Sequence, residues 1–120
     1  MGDLSEHFST WEFRCRCGCG KDDVFPGLID ALEKLREMYG KPIRILSGVR
    51  CKSYNLKVGG RPNSAHLRGK AADILCASSV DRFELLWAAF KVFRRVGVYK
   101  GFIHVDVDES LPQNVCWVGL

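Results

Sequence analysis

Leu28, Leu32, Leu35 and Tyr39 recur three and four residues apart, the spacing that gathers apolar side chains on one face of a helix. Asp22 and Asp23 lie upstream as available caps, Pro26 suits a first turn and Gly40 ends the pattern, so a helix is predicted between Pro26 and Gly40. Ile43-Arg44-Ile45-Leu46 reads as a short strand closed by Ser47-Gly48, and residues 51–58 as a short helix or turn. Gly59-Gly60-Arg61-Pro62-Asn63-Ser64 is a loop by composition, and Ala71 to Leu75 reads as a strand. Ser78 with Asp81 resembles a capping box, opening a second helix on Val80, Phe83, Trp87 and Phe90. Two short strands follow, Val96–Tyr99 and Phe102–Val107, and Val115–Val118 reads as a last edge strand. Residues 1–20 form a loop-rich lead-in with aromatic anchors. Helices and strands alternate without a βαβ rhythm, which predicts an α+β fold. The 120 residues suffice for one domain, taken as 1–120.

Composition sets the remaining bounds. Hydrophobic residues make up 47% and charged residues 27%, ordinary values for a globular chain. No segment reaches the roughly 18 consecutive apolar residues of a membrane span. The acidic start, Met1-Gly2-Asp3-Leu4-Ser5-Glu6, lacks the features of a signal peptide, so synthesis in the cytoplasm is expected. The net charge of +4 is uneven: Lys41, Arg44, Arg50, Lys52, Lys57, Arg61, Arg68 and Lys70 meet no acidic residue between positions 41 and 70. That run is either a solvated basic face or a surface that attracts an anionic partner. With only Tyr54 interleaved, it is not a nucleic-acid platform. Of six cysteines, Cys15, Cys17 and Cys19 alternate, while Cys51, Cys76 and Cys116 are dispersed. A structural zinc, disulfides (one tying the run to Cys51) and free thiols all fit that spacing.

The chemistry concentrates in two segments. Ser64-Ala65-His66-Leu67-Arg68-Gly69-Lys70-Ala71-Ala72-Asp73 brings a histidine and an aspartate together around a glycine, and Phe102-Ile103-His104-Val105-Asp106 supplies a second histidine. Two histidines and a carboxylate form a ligand set that zinc accepts with one position open, the usual arrangement of a catalytic site. Side chains two apart on a strand share a face, so Asp106 is expected beside His104. His7 has no evident partner and is expected at the surface; Asp108 and Glu109 are expected to be solvated.

Several ordered blocks carry a resemblance. Ser47-Gly48-Val49-Arg50-Cys51, Tyr54-Asn55, Val58-Gly59-Gly60, Asn63-Ser64-Ala65-His66 through Asp73, and Gly101 through Asp106 resemble the zinc D-Ala-D-Ala carboxypeptidase family. The likeness spans about residues 7–118. Its fold is shared with hedgehog domains and phage peptidoglycan peptidases. The resemblance implies a small antiparallel sheet with two main helices packed on it, and a single zinc ion on His66, Asp73 and His104. It also implies that Arg50 faces the substrate and steadies the oxyanion, and that Ser64 contacts the substrate. The implied activity is cleavage of peptidoglycan stem peptides by a monomeric peptidase, either a D,D-carboxypeptidase or an endolysin-type endopeptidase. Such an enzyme acts on the cell wall, in the periplasm or after lysis.

The chain departs from that family at one place. Many relatives carry a glutamate, aspartate or histidine two or three residues before the last zinc ligand as the general base, where this chain has Phe102 and Gly101. Asp106 is expected to take that role, with orientation of a ligand histidine as its alternative. Because the usual base is absent, a non-catalytic zinc-containing binding module of the same fold is the alternative function. An iron oxygenase using two histidines and one carboxylate is disfavoured, since those sites usually sit in barrels of many strands.

Overall fold

The computed structural model describes residues 2–119. In chain order the elements are α1 (Thr10–Phe13), α2 (Pro26–Tyr39), β1 (Ile45–Ser47), α3 (Lys52–Lys57), a 3-10 turn (Ala65–Arg68), β2 (Ala71–Leu75), α4 (Ser79–Val92), β3 (Arg95–Val98), β4 (Phe102–Asp106) and β5 (Val115–Val118). The α+β reading holds, with α2 and α4 as the two main helices. The lead-in is more ordered than its composition suggested: Glu12 accepts the Ser9 N–H at 2.7 Å and closes the first turn of α1.

Pro26 is the first residue of α2, and its ring pre-sets the helical φ. Neither Asp22 nor Asp23 caps the helix, because Phe25 occupies the cap position. Asp22 pairs with Arg14 and Asp23 with Lys21 instead. Leu28, Ile29, Leu32 and Leu35 are buried, and Gly40 ends the helix in the left-handed conformation. In α4 the Ser78 hydroxyl accepts the Asp81 N–H at 3.1 Å, as the capping pattern anticipated. The buried face, however, is Leu85, Ala88 and Ala89. Val80, Phe83, Trp87 and Phe90 are 65%, 64%, 52% and 55% exposed, so the larger apolar stripe points outward. The two small alanines let α4 approach its neighbours closely, and bulkier residues would hold it away.

The five strands are ordered β1-β2-β4-β3-β5. All pairings are antiparallel except β3 with β5, so the sheet is mixed where an antiparallel one was expected. The connection explains this. β4 ends at Asp106 beside the start of β3, and the segment 107–114 stays at that end of the sheet and enters β5 at Val115, level with Arg95. Alternation separates two faces. Ala72, Ile74, Ile103, Val105 and Val96 join Leu28, Leu32, Leu35, Leu85, Ala88 and Ala89 in one core, together with Phe8, Phe13 and Val49. The opposite face carries Asp73, His104 and Asp106.

Candidate metal centre

One row of residues crosses the whole sheet. Ser47 is in register with Asp73, Asp73 with His104, His104 with Gly97, and Gly97 with Trp117. The row sets Asp73 and His104 side by side on the face turned away from α2 and α4. His66 reaches them from the 3-10 turn, where the Ser64 hydroxyl caps the turn by accepting the His66 N–H at 3.1 Å. Gly69 then reverses the chain into β2. Its φ of 69° suits glycine, and a Cβ there would stand 2.4 Å from the Asp23 carbonyl oxygen.

Three donor atoms converge. His66 Nε2 is 3.3 Å from Asp73 Oδ1, and His104 Nδ1 is 3.1 Å from the same oxygen. All three side chains are buried, and their ligand atoms lie within 4.8 Å of one another. Zinc bonds of about 2.0–2.1 Å in a tetrahedron put ligand atoms about 3.3 Å apart, so this spacing suits the ion. The tautomers suit it as well. His66 Nδ1 donates to the Gly48 carbonyl at 2.6 Å, leaving the Nε2 lone pair free. His104 Nε2 donates to Asp106 Oδ2 at 2.7 Å, leaving Nδ1 free.

The electrostatics of the three groups differ. Burial holds the pKa of His66 below its ordinary value, despite the opposing pull of Asp73. Burial acts the same way on His104, but hydrogen bonds to Asp106 and Asp73 outweigh it and raise that pKa. Asp73 is held well below the carboxylate range: burial pushes it up, and its contacts with His104 and His66 more than reverse the effect.

Arg50 stands beside these three residues. Its Nε donates to the Ser47 hydroxyl at 3.1 Å, one terminal nitrogen to Asn55 Oδ1 at 3.2 Å, and the other to Asp73 Oδ2 at 3.0 Å. Asp73 therefore offers one oxygen to the histidines and the other to the guanidinium. The fork is nearly buried and held at three points, so the charge is pre-positioned.

Asp106 adjoins His104 on the side of the ring away from Asp73. It is 1% exposed, sits behind the His104 ring, and has both oxygens engaged. Arg95 Nε donates to them at 2.8 and 3.0 Å, and the Asp108 N–H donates to Oδ1 at 3.1 Å. Of the two roles weighed from sequence, this geometry suits orientation of His104 better than proton transfer. Phe102, two residues before His104, stacks on Tyr99 with ring centroids 4.6 Å apart.

Other expectations change too. Asp108 is fully buried, pairs with Arg68 and accepts from the Ser110 N–H and hydroxyl, whereas Glu109 is exposed. His7 is not alone: its Nδ1 lies 2.7 Å from Glu33 Oε1. The basic run is divided. Lys41 pairs with Asp81 and Glu84, and Arg68 with Asp108, while Arg44, Lys52, Lys57 and Arg61 are exposed.

Two residues at the centre went unnoticed in sequence. Arg95 clamps Asp106, and the Trp117 ring lies 5.3 Å from the His104 ring with Arg95 over its face at 5.0 Å. Trp117 Nε1 donates to the Tyr99 hydroxyl at 2.8 Å. Extending the β3–β4 pairing by one residue brings Arg95 level with Asp106, a signal available once the hairpin turn is known. Trp117 had no such signal, because its strand is joined to the site only through Gly97. A Cβ on Gly97 would stand 2.6 Å from the Trp117 ring.

A family model described as Peptidase M15 matches residues 6–106, which take in His66, Asp73, His104, Arg50 and Asp106. No curated protein matches the chain. Among the described residues, no helix is long and apolar enough to cross a membrane.

Proposed function

The chain belongs to the peptidase M15 family, whose members are zinc-dependent peptidases, and from that premise we propose that it cleaves peptidoglycan stem peptides with zinc held by His66, Asp73 and His104. One observation carries the proposal: three buried donor atoms converge while both histidines have their other nitrogen tied to a hydrogen-bond acceptor. Zinc held there would polarise the scissile carbonyl and lower the pKa of a bound water to about 7.

The chain's own groups supply the rest. Arg50, anchored by Ser47, Asn55 and Asp73, presents a fixed positive charge beside the ligands, where an oxyanion would develop. The Ser64 oxygen accepts from the His66 amide, so its own hydrogen is free to donate to the peptide. The exposed Lys52, Lys57 and Arg61 favour a substrate that bears free carboxylates. Asp106 and Arg95 hold the His104 ring in one orientation and take no part in bond breaking. The reading extends to a monomer that acts on the cell wall and cuts either the terminal D-Ala or a bond within the stem or cross-link.

Digestion of purified peptidoglycan by the zinc-loaded protein, with mass spectrometry of the released fragments, tests this reading. Fragments produced by the wild type and absent with His66→Ala support the peptidase, and their masses identify the bond. The alternative, a zinc-containing binding module, draws on Phe102 in the usual base position and on the engagement of Asp106. Retained binding to peptidoglycan with no released fragment would favour it.

A further inference from the structure

Cys15, Cys17, Cys19 and Cys51 converge at a second place, outside the ligand row. The sulfur of Cys15 is 3.4 Å from that of Cys17 and 3.8 Å from that of Cys51, and Cys17 is 3.6 Å from Cys51. With Cys19 included, all four sulfurs lie within 4.8 Å of one another. A tetrahedral zinc with Zn–S bonds of about 2.3 Å requires sulfurs about 3.8 Å apart. We propose that these four cysteines bind a structural zinc ion, separate from the one on His66, Asp73 and His104.

The chain builds the cluster from both sides. Gly18 and Gly20 adopt φ of 88° and 87°, so the alternating run curls on itself and brings its three sulfurs together. The Cys15 N–H donates to the Lys21 carbonyl at 2.8 Å and closes the loop. Cys51 completes the set from the start of α3. The Cys51 N–H donates to the Cys15 sulfur at 3.4 Å and the Tyr54 N–H to the Cys51 sulfur at 3.4 Å. Amide donors of this kind stabilise metal-bound thiolates. Arg16 and Lys52 flank the cysteines in sequence and offset part of the excess negative charge of four thiolates on one Zn2+. Two disulfides would draw the sulfurs into two close pairs, whereas the separations among Cys15, Cys17 and Cys51 are nearly equal.

A closed four-thiolate site contributes to folding and takes no part in catalysis. Here it would fasten the lead-in to the residue next to Arg50. Val49 N–H already donates to the Phe13 carbonyl and Arg50 N–H to that of His66, so the metal would lock a junction that touches both the lead-in and the catalytic side.

Metal analysis of protein purified with zinc under reducing conditions tests the proposal. Two zinc equivalents are expected for the wild type, and one each for His66→Ala and for Cys17→Ser/Cys19→Ser. Cobalt loaded into His66→Ala should give a near-ultraviolet thiolate-to-metal charge-transfer band and intense visible bands. Cys17→Ser in that background should abolish them, and Cys116→Ser should leave them unchanged. His66→Ala keeps every cysteine, so its cobalt spectrum decides the matter even if the cysteine variants fail to fold. A single wild-type equivalent that His66→Ala removes would overturn the proposal, as would an absent charge-transfer band or an intact mass reduced by disulfide formation. A single equivalent that survives His66→Ala would support this site and count against the His66 site instead.

Discussion

His104 Nε2 donates to Oδ2 of Asp106 at 2.7 Å, and that bond decides which nitrogen of the ring faces Asp73. Removing the charge of Asp106 loosens the ring without deleting a ligand. Asp106→Asn should therefore weaken zinc binding about 10- to 100-fold. With zinc saturating, kcat should fall by less than about tenfold. Competition with a chromogenic chelator reads the first quantity and peptide hydrolysis the second. A loss of about 10²–10⁴ in kcat at full occupancy would return the proton to Asp106.

Arg50 tests the charge beside the ligands. Arg50→Lys keeps a cation but loses the three-point fork. Its kcat should fall about 10²–10³-fold, as for loss of an oxyanion donor, with zinc content at the His66 site unchanged. Parallel metal analysis and steady-state kinetics separate the two effects. Equal loss of zinc and activity would make Arg50 a support for Asp73 alone.

Gly97 is small because Trp117 lies over it. Gly97→Ala places a methyl group 2.6 Å from the ring, so the indole must move off His104. The expected cost is about 1–3 kcal/mol, typical of overpacking. Thermal unfolding reads the stability, and a shift in tryptophan emission reports the displaced ring. Trp117→Ala in the same background should remove most of the added cost.

Asp108 ties the segment after β4 to the 3-10 turn. Burial pushes its pKa up, but donors on Ser110 and Arg68 outweigh burial and depress it. A folded pKa below the unfolded value of about 3.9 stabilises the protein above that pH, and the contribution disappears as pH falls through the folded value. Asp108→Asn should then cost about 1–3 kcal/mol at neutral pH and much less in strong acid. Urea unfolding of both proteins at several pH values measures the difference, and a gap independent of pH would contradict the assignment.

Much of the fold was legible because its signals are local. Leu28, Leu32 and Leu35 mark a buried helical face, short apolar segments mark the strands at 71–75 and 102–106, and two-residue spacing puts His104 and Asp106 on one face. Periodicity misled in α4: Val80, Phe83, Trp87 and Phe90 make the larger apolar stripe, yet the alanine-containing face is the one that packs. Size pointed outward and fit pointed inward, and sequence spacing weighs only the first.

Residue types and short-range spacing alone determined the donors, the strand that brings His104 and Asp106 to one side, and the resemblance to a zinc peptidase family. Tertiary structure decided the direction each group faces: Nδ1 of His104 toward Asp73, Asp106 toward Arg95, Trp117 against the ring, and Cys51 among three distant sulfurs. A strand's period fixes the side on which a residue lies. Its partner depends on register between segments tens of residues apart, and that register is settled only when the core closes and buried polar groups must find one another.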